Sequence, residues 1–216
     1  MSVKLPSFET VEDAMVCIVD DDESVRRSLE RLFRSVHLRA KAFASAQAYL
    51  DHPAHDGPSC LVLDVRMPGL DGLELQQALR NREVQVVFLT GHGDVPMCAD
   101  AMKAGAADFL TKPVDHEHLL RAVRRALECS VKARQTFSQR ASARALLGTL
   151  TPREFEVMQR VIAGRLNKQI ADDLGTAEKT VKIHRGRVME KMHITSVVDL
   201  VRIAQAAGVA PVMMAM

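Results

Sequence analysis

Five polar residues of this chain lie where short apolar runs end. Asp20 and Asp21 follow the first of these runs, Asp64 follows a second, Thr90 a third and Lys112 a fourth. In an open parallel α/β sheet, the carboxyl ends of the strands form the ligand crevice. We therefore expect these side chains to converge. Three carboxylates, a hydroxyl and an amine suit a divalent metal together with a phosphoryl group.

The carboxylates define the chemistry of this predicted site. Carboxylates that share a cleft raise one another's pKa unless a cation neutralises them, and Mg²⁺ is usually bound by one or two carboxylates plus water. Asp64 is the candidate nucleophile, because a carboxylate can accept a phosphoryl group and form an aspartyl phosphate. Lys112 and the metal would supply the positive charge that phosphoryl transfer requires, and Thr90 could hydrogen-bond a phosphate oxygen.

Each of these residues also has an ordinary explanation. The acidic triplet 20–22 resembles a solvated turn, Lys112 could be a surface lysine before a turn, and Thr90 could cap a helix. Solvent is the expected environment of Asp22, and a turn or helix cap is the expected role of Asp71. The occurrence of all these residues at successive strand ends favours one shared site.

Apolar runs of strand length alternate with helical patterns through residue 127. This alternation predicts an α/β fold with a doubly wound, five-stranded parallel sheet. The predicted strands are 15–19, 39–43, 60–63, 84–89 and 107–110, and helices are expected from 24, from 45, over 73–79, over 95–103 and from 115.

The second half of the chain predicts a small all-α domain. Residues 128–148 are polar and basic, and they could continue the preceding helix as a connector. Four helical segments follow, and two short helices joined by a Gly-containing turn are typical of a helix-turn-helix. The predicted helix caps are Thr151, Asn167, Thr176 and Ser196. Thr151 is expected to form a capping box with Glu154. The predicted domains are 14–127, a helical linker over 128–148, and a four-helix domain over 149–208.

Charge is distributed unequally along the chain. Residues 1–128 contain 15 Lys+Arg and 20 Asp+Glu, a balance of −5, whereas residues 129–216 contain 14 and 7, a balance of +7. An acidic N-terminal half is suited to binding a cation, and a basic C-terminal half is suited to binding a polyanion. Ordinary surface charge is the alternative explanation.

The third helix of the basic half concentrates this charge. Val181, His184, Val188 and Met192 recur at helical spacing and predict an inner face. The basic residues on the remaining faces are Lys179, Lys182, Arg185, Arg187 and Lys191. Such a helix suits the major groove of DNA, where Lys and Arg contact phosphates or guanine edges. A solvated amphipathic helix is the alternative, and His184 is expected to be a core or capping residue.

Composition excludes several other classes of protein. There is no Trp and one Tyr, so base stacking is not expected to dominate any contact with nucleic acid. The four cysteines are far apart in sequence, which favours a reducing compartment over a disulfide framework. No signal sequence or membrane span is recognisable, so we expect a cytoplasmic protein without membrane contacts.

Residues 14–127 resemble the receiver domain of two-component response regulators, which has a flavodoxin-like fold. The matching segments are VCIVDDDESVRRSL, LVLDVRMPGLDG, VVFLTGHGD and AADFLTKPV. The resemblance implies that a cognate sensor histidine kinase phosphorylates Asp64. It implies that Mg²⁺ is held by Asp20, Asp21, Asp64 and the main-chain carbonyl of Arg66. It also implies a switch pair, Thr90 and Phe109, and a phosphate contact from Lys112.

Residues 149–207 resemble the LuxR-type helix-turn-helix domain, and the order of the two domains resembles the NarL/FixJ subfamily. The matching segments are LTPREFEVMQRVIAG, NKQIADDLGTAEKTVKIHRGRVMEKM and DLVRIA. The resemblance carries Lys182, Ile183 and Gly186 to base-facing positions and Thr180 toward a phosphate. Gly186 departs from expectation because it has no side chain, so base reading could move to Arg185 or Lys182.

The expected function is that of a DNA-binding transcriptional regulator switched by phosphorylation of Asp64. Its expected partners are the kinase, double-stranded promoter DNA, RNA polymerase and a second copy of the chain. The dimer interface could use the helix at 196–205 or the one at 116–127. Arg66 and His92 flank the predicted cleft and could tune the access of water. The tail after Gly208 could be disordered or could form a packing patch.

Two alternatives remain open from the sequence. An aspartyl-phosphate phosphatase would want an acid/base Asp two residues after the nucleophile, and Arg66 occupies that position, so we expect no enzyme. The second alternative is a protein that binds DNA constitutively and whose N-terminal domain is not phosphorylated. The presence of Asp21, Asp64, Thr90 and Lys112 argues against it.

Overall fold

The structure is a computed structural model, and it describes residues 13–80, 82, 84–91 and 94–212. His92, residues 1–12 and the end of the tail, residues 213–216, lie outside the described residues. The chain divides into two compact units, with the boundary between Arg134 and Gln135.

The first unit contains a five-stranded parallel sheet in the order β2-β1-β3-β4-β5, which confirms the predicted fold class. Its strands are β1 (Met15–Val19), β2 (Arg39–Phe43), β3 (Ser59–Leu63), β4 (Gln85–Thr90) and β5 (Asp108–Thr111). The last two strands lie one residue later than predicted. The reason is that their ladder continues past the apolar run, with Thr90 paired to Thr111.

Helices cover both faces of this sheet. They are α1 (Glu23–Ser35), α2 (Ala46–Leu50), α3 (Gly72–Ala78), α4 (Val95–Lys103) and α5 (His116–Leu147). Val16 and Ile18 of β1 pack in one apolar layer with residues of α1 and α5. Cys17 and Val19 pack in the opposite layer with residues of α2, α3 and α4. Because successive strand residues point to opposite faces, a strand covered on both sides must be apolar throughout, as β1 is.

Two helices of this unit refine the sequence expectations. α1 begins at Glu23, one residue before the expected Ser24, because the Asp22 carboxylate accepts a hydrogen bond from the Ser24 amide at 2.7 Å. Asp22 is exposed, as expected, but it also caps this helix. α5 continues without interruption to Leu147, so residues 128–147 are helical, and the boundary between the units falls within a helix.

The second unit contains, beyond the end of α5, the helices α6 (Pro152–Ile162), α7 (Asn167–Asp173), α8 (Glu178–Lys191) and α9 (Val197–Ala207). The capping box of Thr151 with Glu154 and the Ser196 cap are confirmed. The predicted caps at Asn167 and Thr176 are wrong. α7 begins at Asn167 itself, and the Thr176 amide is used to close α7 by binding the Ala171 carbonyl at 3.0 Å.

Buried apolar residues from all four of these helices form the core of the second unit. They include Val157, Ile170, Val181 and Leu200. Among the described residues, no helix combines the length and the apolar character that crossing a membrane would require.

Candidate phosphoacceptor site and nucleic-acid interface

The predicted carboxylates converge at the carboxyl edge of the sheet. Asp20 follows β1 and Asp64 follows β3, its parallel neighbour, so the two residues end adjacent strands. One carboxylate oxygen from each of Asp20, Asp21 and Asp64 lies within 4.8 Å of the others. Asp20 and Asp64 are buried and Asp21 is exposed. Three oxygen ligands at this separation could hold a hard divalent cation.

Lys112 joins this cluster from the end of β5. Its ammonium donates hydrogen bonds to Asp20 Oδ2 at 2.6 Å and to Asp64 Oδ2 at 2.7 Å, and its side chain is 22% exposed. Burial acts to lower the pKa of Lys112, but the hydrogen bonds to the two carboxylates outweigh it and the pKa is raised. The amine is therefore a permanent positive charge beside Asp64.

The contact with Lys112 does not fully stabilise the charged form of Asp20. Burial raises the pKa of Asp20 above its ordinary value, and the hydrogen bonds from Lys112 and from the Asp22 amide do not fully offset it. A buried carboxylate in this condition is stabilised by a further cation. The donor set thus fits a bound metal on electrostatic grounds as well as on distance.

Main-chain contacts fix the two buried aspartates. The Asp64 amide donates to the Val19 carbonyl at 2.9 Å, which extends the pairing of β3 with β1 past the strand end. Asp20 Oδ1 accepts the Asp22 amide at 2.9 Å, and the Arg26 guanidinium donates to the Asp20 carbonyl at 2.6 Å. Arg26 is a supporting residue that the sequence did not single out.

Arg66 contributes a main-chain contact to the site. Its amide donates to Asp64 Oδ1 at 3.2 Å, while its side chain is exposed. Asp64 therefore has one oxygen bound by this amide and the other by Lys112. The assignment of the Arg66 carbonyl to a metal stays a prediction.

Gly72 is a second residue that the sequence did not single out. Its amide donates to the Val65 carbonyl at 2.8 Å. A Cβ at this position would lie 2.3 Å from the Asp64 carbonyl oxygen and 2.9 Å from the Val65 Cα. Only glycine permits this close approach of the start of α3 to the segment that carries Asp64.

Thr90 and Phe109 lie on the neighbouring strands β4 and β5, where Thr90 pairs with Thr111 and Phe109 pairs with Phe88. Thr90 is fully buried at the end of β4, and Phe109 is half-buried, with its ring centroid 5.8 Å from that of Phe88. Because alternate strand residues share a face, Thr90 and Phe109 lie on the same face of the sheet, two positions apart along the ladder. Their function as a switch pair stays a prediction.

The outer surface of α8 carries the predicted nucleic-acid interface in the second unit. Val181, Val188 and Met192 are buried, which confirms the predicted inner face, and His184 is partly buried. The exposed residues of the helix include Lys179, Lys182, Ile183, Gly186 and Arg187, while Thr180 is half-buried. A Cβ added at Gly186 would meet no atom within 4 Å. The exposed side of α8 is thus basic and, at Gly186, open.

Two basic residues of α8 already have partners in the second unit. The Lys191 ammonium donates to the buried Glu154 carboxylate at 2.6 Å and to the Thr149 carbonyl at 3.1 Å. The Arg185 guanidinium donates to the Asn167 side-chain oxygen at 3.1 Å and so connects α8 to α7. These contacts give both residues a structural function, and their predicted contacts with DNA stay a prediction.

Both domain resemblances are matched by family models. The model of the response regulator receiver domain matches residues 16–124. The model of bacterial regulatory proteins of the luxR family matches residues 148–204. A phosphoacceptor-type site and a helix-turn-helix thus occur in one chain, which is therefore a transcriptional response regulator of a two-component system.

Full-length relatives identify the subfamily. Nodulation protein W of Bradyrhizobium diazoefficiens is 49% identical over 203 residues, which cover 93% of this chain and 89% of the relative. The transcriptional regulatory protein FixJ of Azorhizobium caulinodans is 43% identical, covering 93% of this chain and 96% of the relative. The response regulator StyR is a similar solved structure, with a TM-score of 0.80, 42% identity, and coverage of 89% of this chain and 98% of that one. The chain belongs to the NarL/FixJ subfamily of response regulators.

Proposed function

We propose that Asp64 accepts a phosphoryl group from a cognate sensor histidine kinase. The observation that carries this proposal is the pair of hydrogen bonds from Lys112 to Asp20 and Asp64, which holds a charged amine beside the two buried carboxylates of the cluster. An Asp64 oxygen attacks phosphorus, the phosphorus–nitrogen bond of the phosphohistidine breaks, and the imidazole leaves with the bonding electron pair. Lys112 stabilises the charge on the transferred oxygens.

Mg²⁺ is the proposed cofactor of this transfer. Asp20, Asp21, Asp64 and the Arg66 carbonyl would hold it, and it would neutralise the charge that develops on the phosphoryl oxygens. The fit rests on the spacing of the three carboxylates and on the raised pKa of Asp20.

Intact mass after incubation with acetyl phosphate and MgCl₂ tests the acceptor. Wild type should gain the mass of one phosphoryl group, Asp64→Asn should gain none, and Asp71→Asn should behave as wild type. Asp71 is the matched control because its carboxylate caps α3 and is not a member of the cluster. A natively folded wild type that gains no mass, or an Asp64→Asn variant that does, would contradict the proposal.

The response to phosphorylation is proposed to be a shift of a pre-existing equilibrium. The new phosphate brings about −1.5 to −2 charge, which attracts the Thr90 hydroxyl and leaves space that Phe109 fills. Buried Thr90 and half-buried Phe109, on neighbouring strands, are the support for this assignment. Equal operator affinity of wild type and Asp64→Asn under phosphorylating conditions would instead favour a constitutive DNA-binding protein.

The DNA contact is proposed to use the exposed residues of α8. Lys182→Ala should weaken binding to the operator by about tenfold or more, since one good base contact is worth about 1–3 kcal/mol. Arg140→Ala is the matched control, because Arg140 is an exposed cation on α5 that lies outside α8 and α9. Unchanged operator affinity of Lys182→Ala would show that the assignment of the groove-facing residues is wrong.

The remaining partners follow from this function. We expect phosphorylation-dependent homodimerisation, because paired recognition helices match paired half-sites. Val198, exposed on α9, supports that helix as one interface, and the start of α5 is the other candidate. Sedimentation of wild type and Asp64→Asn with acetyl phosphate tests this, with a dimer expected for wild type alone. RNA polymerase as a partner and a cytoplasmic location are proposed with it, and the four free cysteines suit that compartment.

We propose no turnover of external substrates. Arg66 stands where an aspartyl-phosphate phosphatase would need its acid/base carboxylate, and its exposed guanidinium cannot act as a general base at neutral pH. Steady hydrolysis of small phosphomonoesters by the purified protein would overturn this.

A further inference from the structure

A cavity of about 540 Å³ lies at the amino edge of the sheet in the first unit. Met15 and Ser59, the first residues of β1 and β3, line it, whereas Asp20 and Asp64 follow the other ends of these strands. A five-residue strand is about 17 Å long, so the cavity is distinct from the phosphoacceptor site. We propose that this cavity binds an organic carboxylate with a compact apolar body.

The inner wall of the cavity is apolar. Met15, Cys17 and Val84 line it, together with the Tyr49 ring, which packs edge-on against Phe43 at 5.3 Å. Burial raises the pKa of the Cys17 thiol to about 11 and that of the Tyr49 hydroxyl to about 12. Both groups are therefore neutral at pH 7, and this wall adds no negative charge.

One side of the cavity presents a fixed ammonium group. His52 Nδ1 lies 2.8 Å from the Pro53 carbonyl, which can only accept, so this nitrogen is the donor. In the neutral ring Nε2 then accepts, and the Lys41 ammonium donates to it at 2.5 Å. The Lys41 ammonium has two further N–H groups, so the pair is a preorganised donor at the wall of the cavity.

The loop on the same side is held in place by a close main-chain approach. His55 Nε2 donates to the Asp13 carbonyl at 2.7 Å. A Cβ at Gly57 would lie 2.4 Å from that nitrogen and 2.6 Å from the Asp13 carbonyl oxygen. Any side chain at Gly57 would therefore displace this contact, so the shape of the wall depends on the glycine.

The charge of the described lining residues selects an anion. Among the described lining residues, Lys41 and Arg82 stand against one carboxylate, that of Asp56, which gives a net charge of +1 without counting Arg134. Arg134 is already engaged, and its guanidinium donates to the Asp56 main-chain carbonyl. An inorganic anion would leave the apolar wall uncovered, and a neutral hydrocarbon would leave the cations without a counterion. A carboxylate on an apolar body satisfies both.

Titration with 1-naphthoate tests the site in the full-length protein labelled with ¹³C at the methionine methyl groups. The Met15 methyl resonance should shift in a saturable manner, because this residue lines the cavity. The amide 1-naphthamide, which has the same shape without the charge, should bind at least about tenfold more weakly, since a hydrogen bond to a charged group contributes more than one to a neutral group.

Variants assign the binding to Lys41. Lys41→Met should weaken 1-naphthoate binding by about tenfold, and Lys41→Arg should restore most of it. Arg31→Met should have no effect, because Arg31 is an exposed cation of α1 that does not line the cavity.

Several results would overturn the proposal. They are an unchanged Met15 resonance at saturating 1-naphthoate, equal affinity for the amide, equal losses in Lys41→Met and Arg31→Met, or full displacement of 1-naphthoate by an equal concentration of sulfate. The comparison of the acid with its amide uses wild type only, so it remains decisive even if Lys41→Met does not fold. The phosphorylation state of Asp64 plays no part in the test.

Discussion

The single hydrogen that Gly72 has in place of a side chain controls the position of Asp64. The start of α3 packs against the main chain of Asp64 and Val65 at a distance that no Cβ can occupy. The neighbouring Asp71 fixes the same turn through its capping box with Glu74. The position of the proposed phosphoacceptor thus depends on a turn whose residues take no part in the proposed chemistry.

Gly72→Ala should lower the free energy of unfolding by about 1–3 kcal/mol, the usual cost of overpacking, and should slow phosphorylation of Asp64. Urea denaturation and intact mass after acetyl phosphate measure the two effects. Gly91→Ala is the matched control, because an added Cβ there meets no described atom within 4 Å. Equal stability of the two variants would show that the turn relaxes without cost.

Gly186 has the opposite environment, since it lies exposed in the interior of α8 with open space around it. Gly186→Ala should raise the free energy of unfolding by about 1 kcal/mol through helix propensity. If Gly186 faces a base, as proposed, the same change should weaken operator binding while stabilising the protein. A stabilised variant with unchanged affinity would remove Gly186 from the interface.

For single residues, the sequence predicted which side chains lie close together in the site, but not which hydrogen bonds they make. Asp20, Asp64 and Lys112 could be placed together because the ends of parallel strands share one edge. The simultaneous contact of Lys112 with both carboxylates could not be predicted, because it depends on the rotamers of three side chains. Gly72 was missed because its importance comes from a close approach to the main chain of Asp64 and Val65, which lie several residues earlier in the sequence.

Between elements, the ion pair of Glu154 with Lys191 joins α6 to α8. Glu154 is buried, and the same carboxylate accepts the Thr151 amide at 2.8 Å. The hydrogen bond from Lys191, followed by that from the Thr151 amide, lowers the pKa of Glu154 to about 2. Lys191 therefore supports the orientation of the proposed recognition helix.

The stability of the second unit should depend on Glu154 at acid pH. A carboxyl whose pKa is depressed in the folded state stabilises that state above its unfolded pKa, and this stability is lost as the pH falls through the folded value. The free energy of unfolding should thus decrease between about pH 4.5 and pH 2 on account of Glu154. Glu154→Gln should reduce the slope in this window, and Glu156→Gln is the control. Equal slopes for both variants would contradict this assignment.

Helix existence was easier to predict than helix limits. Every predicted helix occurs, because apolar periodicity is set by the core that each helix contacts. The caps at Asn167 and Thr176 were wrong for a local reason. Side chains that can cap were available, but Asn167 receives Arg185 and the Thr176 amide closes α7. The capping residues of the structure, Leu166 and Ala177, carry no sequence signal for a cap.

On the scale of the whole molecule, the unequal distribution of charge matches the two functions. Residues 1–128, which carry a net negative charge, contain the carboxylate cluster, and residues 129–216, which carry a net positive charge, contain α8. This division could be predicted from composition because net charge needs no knowledge of the fold. The cavity near Lys41 could not, because its lining comes from residues far apart in sequence that no motif connects.

The contact of Lys112 with Asp20 and Asp64 has a consequence for how the protein would respond to loss of its proposed Mg²⁺. The ammonium is a tethered counterion that cannot diffuse away, so two of the three carboxylates keep a partner when no metal is bound. Treatment with EDTA should therefore abolish phosphorylation by acetyl phosphate while leaving the melting temperature nearly unchanged. Calorimetry and intact mass on the same sample check this, and a large drop in melting temperature would contradict it. Scarcity of the metal would then silence the regulator without unfolding it, and the response would return as soon as magnesium did.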